Sequence, residues 1–148
     1  MSIRNAVPVA VLVAILAAGA GHAHATVQQT PTRTTWSGVY TAAQAARGEA
    51  AYTEQCSSCH GTDLSGGGFA PALNGTTFNS AWNDLTLDDL LDRIRTTMPQ
   101  DKPGTLSRAV SADIVTFILQ KGGCAAGETE LAPQQENLKQ IAFKATKP

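Results

Sequence analysis

Cys56-Ser57-Ser58-Cys59-His60 is the stretch on which the fold turns. Two thiols three residues apart, followed at once by a histidine, form the C-x-x-C-H pattern of c-type haem attachment. The chemistry needs that spacing. At a helix end both sulfurs reach one haem edge, each forms a thioether, and the adjoining imidazole turns toward the iron as proximal ligand. Three other readings of the same residues stay open: a disulfide, a redox-active dithiol and half of a zinc site. A thioredoxin-like dithiol expects a strand–helix setting, and no strand alternation is visible here. A zinc site of three or four ligands would have to draw on Cys56, Cys59, His60 and the distant Cys124.

Upstream, Arg4 supplies a short positive region, and residues 6–20 are almost wholly apolar apart from Pro8 and Gly19. Ala23-His24-Ala25 then puts small residues at the two positions a signal peptidase reads. Residues 1–25 therefore read as a secretory signal peptide cut after Ala25. As a permanent membrane span the apolar run, about 15 residues, falls short of the roughly 20 required, and a retained anchor is the alternative. Export fits the motif, because covalent haem attachment of this kind belongs outside the cytoplasm, here the periplasm. No membrane insertion is expected after cleavage.

Cleavage sharpens the inventory. His22, His24 and Met1 leave, so the mature chain, Thr26 to Pro148, keeps His60 as its single histidine and Met98 as its single methionine. Chemistry needing several histidines is excluded. Met98 lies beyond an amphipathic helix and directly before Pro99, which stiffens its loop. Without a second histidine, Met98 reads as the distal ligand to the iron. The competing reading is a gap-filling core methionine. A His60/Met98 pair would raise the potential relative to two histidines and would fill both axial positions.

The full chain has 148 residues, with 11 Lys and Arg against 12 Asp and Glu and 43% hydrophobic residues. That is one domain with a modest core. The balanced charge and the lack of a Lys/Arg cluster exclude a nucleic-acid surface. Thr26 to Val39 reads as an extended lead-in that Trp36 could pin to the body. Thr41 and Gln44 form a candidate capping box for a helix running to about Gln55, with Ala45, Gly48, Ala51 and Tyr52 on one face. Residues 61–77 read as a long loop whose Phe69, Leu73 and Phe78 wrap something, with Trp82 on a short helical turn after it. Gly66-Gly67-Gly68 lacks the following Lys-Ser/Thr of a phosphate cradle and reads as a flexible turn. Thr86 and Asp89 form a second capping box. Leu87, Leu90, Leu91 and Ile94 recur at helical spacing and read as core, while Asp88, Asp89 and Asp92 read as a solvated acidic patch. A third helix is expected from Ser111 to Gly122-Gly123, and a weak terminal helix through Leu138, Ile141 and Ala142. The whole reads as all-α.

With these residues in place, the chain resembles class I cytochromes c, small monohaem electron-transfer proteins, over roughly Thr41 to Gly123. The resemblance implies a small helical domain wrapped around one haem c held through Cys56 and Cys59. It implies residues 26–40 and 124–148 as N- and C-terminal extensions of a cytochrome domain at 41–123. Gly48, Tyr52 and Phe117 match the positions where the family's first and last helices cross. Pro71 matches the proline whose carbonyl receives the proximal histidine's N–H, and Trp82 a residue lining the haem near its propionates. The run Met98-Pro99 to Pro103-Gly104-Thr105-Leu106-Ser107, then Asp113-Ile114, is similar to cytochromes that accept electrons from quinoprotein dehydrogenases. The same signature occurs in cytochromes serving oxidases and sulfur oxidation. Cys124 departs from the pattern, which has an aromatic or aliphatic residue there.

The implied function is one-electron transfer from a dehydrogenase to a cytochrome or terminal oxidase, with no enzymatic activity of its own. Alternatives are a non-diffusing cytochrome subunit of a dehydrogenase complex, and a haem enzyme with a displaceable Met98. A monomer is expected, with a Cys124-linked dimer as the open alternative.

Overall fold

The computed structural model describes residues 30–148. The signal-peptide reading concerns residues 1–25 and lies outside them. The chain runs β1 (Arg33–Thr34), α1 (Ala42–Gln55), α2 (Ser57–His60), α3 (Gly75–Trp82), α4 (Leu87–Thr97), α5 (Arg108–Lys121), α6 (Gln135–Leu138) and β2 (Ile141–Ala142).

The crossing of α1 and α5 builds the core. Gly48 makes it possible: a Cβ there would lie 1.9 Å from the Asp113 carbonyl oxygen and 3.1 Å from the Phe117 Cβ. One turn on, the Tyr52 and Phe117 rings meet with centroids 5.1 Å apart. Leu87, Leu90 and Leu91 of α4 and Ile114, Val115 and Ile118 of α5 complete the interior, all buried. The surface side of the crossing carries Arg47, which donates to both Asp113 and Glu130.

Helix ends follow side-chain chemistry. Thr86 and Asp89 form the reciprocal capping box on α4. On α1 only half of the expected box forms. Thr41 Oγ1 accepts the Gln44 N–H at 3.1 Å, but the Gln44 side chain is buried and makes two bonds to Leu131, donating to its carbonyl at 3.0 Å and accepting its N–H at 2.7 Å. A backbone segment that needs both a donor and an acceptor outbids the cap. The last long helix begins at Arg108, not Ser111. Ser107 is its cap, with Oγ accepting the Val110 N–H at 3.2 Å, while Ser111 donates back to the Ser107 carbonyl from inside the helix.

The short helical turn expected at Trp82 is the end of an eight-residue helix, α3. Two further expectations are corrected. The terminal helix stops at Leu138, and Ile141–Ala142 instead forms β2, parallel to β1, with Arg33 opposite Ile141 and Thr34 opposite Ala142. The acidic patch is not one surface. Asp88 is buried and accepts from Arg108 (2.7 Å) and Gln135 (3.0 Å), Asp89 caps α4, and Asp92 remains exposed. The fold is thus helical with one short strand pair.

Residues 30–40 and 124–148 are built into the body. Trp36 Nε1 donates to the Lys144 carbonyl at 2.9 Å, and Gly127 N–H donates to the Tyr40 carbonyl at 2.7 Å. Leu131, Leu138, Ile141 and Phe143 are all buried.

Candidate functional site

Cys56 ends α1, and the chain turns directly into α2. The Cys59 and His60 N–H groups both donate to the Cys56 carbonyl, at 3.1 and 3.0 Å. One helical turn thereby carries both thiols and the imidazole. Both thiols are free, Cys56 half-buried and Cys59 exposed. Burial, then the neighbouring Cys59, pushes the Cys56 thiol up to about 11, so it stays protonated at neutral pH. Tyr52, buried on α1, donates to the Gly61 carbonyl at 2.6 Å and so ties the residue after His60 to the core.

His60 is buried, and its Nδ1 lies 2.8 Å from the Pro71 carbonyl oxygen. A carbonyl only accepts, so Nδ1 carries a proton and Nε2 is the ring nitrogen left to act as a ligand. Among the described residues no hydrogen bond engages Nε2. Among the described residues no fully buried polar side-chain atom lacks a partner, so Nε2 opens onto accessible space. Two free thiols on one turn, beside an imidazole whose Nδ1 is backed by a carbonyl and whose Nε2 is open, fit a covalent haem. They do not fit zinc, because no group of three or more His, Cys, Asp or Glu side chains converges among the described residues.

Pro71 is held by the turn before it. Gly67 and Ala70 exchange both backbone hydrogen bonds, at 3.0 and 2.8 Å, and Gly66 N–H donates to the His60 carbonyl at 2.9 Å. Hydrogen bonds therefore brace Gly66 and Gly67 of the glycine run. Asp63 precedes it as an Asx-type turn. Its carboxylate accepts from the Ser65 hydroxyl and N–H and is held below the usual carboxylate range by them. Phe69, expected to wrap inward, instead stands fully exposed at the tip of the turn, whereas Phe78 is buried and Leu73 partly so.

Cys56, Cys59, His60 and Pro71 are thus brought together. Met98 caps α4, partly exposed, its N–H donating to the Ile94 carbonyl at 2.9 Å. Trp82 ends α3 with its ring 6.2 Å from that of Phe78. No hydrogen bond or ring contact joins either to the cluster among the described residues. Cys124 lies apart and buried, where Tyr40 donates to its carbonyl. Burial is the main influence on its thiol and raises its pKa. A disulfide between two chains through Cys124 would first require this layer to open. A recess of about 350 Å³ lined by Arg33, Val39, Leu131 and Ile141 lies between the terminal segments and carries none of the candidate ligands. The bracing role of Gly66 and the Tyr52–Gly61 bond escaped the sequence reading. The glycine run ahead of Ala70-Pro71 was the available signal.

A helical body closed by an α1–α5 crossing, with C-x-x-C-H on the turn after α1, defines a c-type cytochrome. Residues 43–118, just over half of the chain, match the family model described as cytochrome c oxidase, cbb3-type, subunit III, and the chain belongs to that cytochrome c family. Haem-based electron transfer is its class of chemistry. A chain in the crystal structure of the sulfane dehydrogenase SoxCD from Paracoccus pantotrophus is similar in fold, with a TM-score of 0.52 and 23% identity. The match covers 77% of this chain and 60% of that one. No curated sequence matches the chain significantly.

Proposed function

We propose that the mature chain is a periplasmic monohaem cytochrome that carries one electron from a dehydrogenase, a quinoprotein being one candidate, to a downstream cytochrome or oxidase. The observation that carries this reading is the His60 ring, with Nδ1 on the Pro71 carbonyl and Nε2 free, one turn from two free thiols. Cys56 and Cys59 would hold the haem by thioethers, His60 and Met98 would be its axial ligands, and Trp82 would line it. The bound group supplies the one-electron redox step. This chain's residues fix its orientation, set its ligand strength and shield it from water.

Electron transfer needs a close approach by the partner. Phe69, fully exposed on the turn that carries Pro71, supports that face as part of the docking rim. A fixed subunit of a larger complex would need free segments to hold its partner, and the tail and the Trp36 segment are the candidates. Both instead bind this chain's own body, which supports a diffusing carrier.

The test is an intact mass with oxidised and reduced absorption spectra of protein expressed with haem maturation. The expected mass is that of residues 26–148 plus one haem. The oxidised spectrum is expected to show the methionine–iron charge-transfer band at the red end of the visible range. Met98→Ala should keep the covalent haem, lose that band and lower the potential. An unchanged spectrum in Met98→Ala would remove Met98 from the ligand set, and a mass without haem would overturn the whole reading.

A further inference from the structure

Gly66 occupies the centre of the turn that faces His60. Its φ is +79°, a left-handed backbone that side chains rarely adopt. A Cβ there would lie 2.6 Å from the Ala70 carbonyl oxygen, 2.7 Å from the Ala72 nitrogen and 2.8 Å from the Pro71 carbonyl carbon. All three are backbone atoms, so no flexible side chain can give way. The last of them bears the oxygen that receives the His60 Nδ1–H. Gly66 also donates its N–H to the His60 carbonyl at 2.9 Å. It therefore grips the main chain of His60 on one side and seats the partner of the His60 ring on the other. The rest of the loop closes around it: Gly67 and Ala70 pair with each other, and Leu73 N–H donates to the Leu64 carbonyl at 2.8 Å.

Gly68 supplies the contrast. It shares a left-handed φ of +53°, yet a Cβ there would meet nothing within 4 Å. Backbone strain alone would be felt at both glycines, whereas displacement of the Pro71 carbonyl would be felt only at Gly66.

We propose that Gly66 is the positioning residue of the proximal imidazole, setting the donor strength of Nε2 through the Pro71 carbonyl. The proposal rests on the reading of His60 as an axial ligand. A carbonyl accepting from Nδ1–H enriches the ring in electron density and strengthens Nε2 as a donor. A stronger donor favours the electron-poor oxidised iron. Moving the carbonyl away should therefore raise the potential.

The experiment compares haem-loaded wild type, Gly66→Ala and Gly68→Ala by midpoint potential and by NMR exchange of the His60 Nδ1 proton. Gly68→Ala should match wild type in both. Gly66→Ala should show a higher potential and a ring proton exchanging about tenfold faster, the weight of one hydrogen bond. Equal shifts in the two variants, or none in Gly66→Ala, would overturn the proposal. If Gly66→Ala does not mature, amide exchange in the wild type decides. Gly66 N–H protected like the α1–α5 core supports the clamp, and Gly66 N–H exchanging as fast as Gly68 N–H overturns it. A wild type whose haem lacks a bound imidazole overturns the ligand reading itself. A bound imidazole without a Gly66-specific shift overturns only the clamp.

Discussion

The Tyr52 hydroxyl must keep its proton to donate to Gly61, and the burial of its ring favours that. Burial first, then the nearby Cys56 and Asp63, pushes the phenol up to about 12 from 10.0. The folded value lies above the unfolded one, so the contribution to stability is complete below pH 10 and is lost as pH rises toward 12. In the haem-loaded protein Cys56 is an uncharged thioether, so burial and Asp63 alone raise the phenol there and the shift is smaller. In the haem-free chain Cys56, pushed up to about 11, would add a loss of the same sign from pH 9 upward, whereas a thioether does not titrate. Urea unfolding between pH 9 and pH 12 should show wild type losing stability more steeply than Tyr52→Phe, and parallel curves would remove the phenol from the account. At this scale the sequence was legible wherever a residue's role depends on its immediate neighbours. The C-x-x-C-H run and the place of Tyr52 on the inner face of α1 are of that kind. The Gly61 partner was not, because that carbonyl reaches the hydroxyl only through the tight turn of α2, which no residue type encodes by itself.

Between elements the decisive contact is α1 on α5. Gly48→Ala would force a methyl to within 1.9 Å of the Asp113 carbonyl oxygen, and relief would require the two helices to move apart and loosen the Tyr52–Phe117 contact. Overpacking a core commonly costs about 1–3 kcal/mol, and a clash with helix backbone belongs at or above the upper end. Against a total of roughly 5–15 kcal/mol, chemical denaturation should show a loss of about 3 kcal/mol or more, and a loss under about 1 kcal/mol would mean that the crossing is looser than it stands here. These helices were legible for a physical reason: α1, α4 and α5 carry caps and apolar spacing within one short window. Where two signals compete the reading slips, as at Ser111, whose hydroxyl looks like a cap but bonds back within the helix. α3 hides because its apolar residues, Phe78 and Trp82, are too few to set a period. β1 and β2 are two residues each, too short for alternation, and their pairing joins positions about a hundred residues apart.

Across the whole molecule, the terminal segments close the body on the side of α3 and α4. Phe143 exchanges hydrogen bonds with both Asp84 and Leu85, accepting at 2.9 Å and donating at 2.7 Å, and its ring meets Phe78 edge-on at 5.9 Å. Next to it Lys144 pairs with Asp84, and Ala145 N–H donates to Asn83 at 3.0 Å. β2 reaches across to β1, so the C-terminal segment fastens the N-terminal one as well as itself. Its energetic weight is in the buried side chains Leu138, Ile141 and Phe143, each contributing about 1.5–3 kcal/mol. Deleting residues 134–148 would remove a large share of a marginal total, and the expected product is a chain that unfolds or aggregates at ordinary temperature. Phe143→Ala is the finer probe. Its cavity should cost about 3–5 kcal/mol, lowering the melting temperature by roughly 10 °C or more. The Cys56–His60 turn shares no hydrogen bond or ring contact with Phe143, so the absorption spectrum and the potential of the haem-loaded variant should stay at wild-type values. A melting temperature that falls while the spectrum holds would separate the clasp from the redox site. A shifted potential would mean that the C-terminal segment tunes the site through α3, whose Phe78 ring meets that of Phe143.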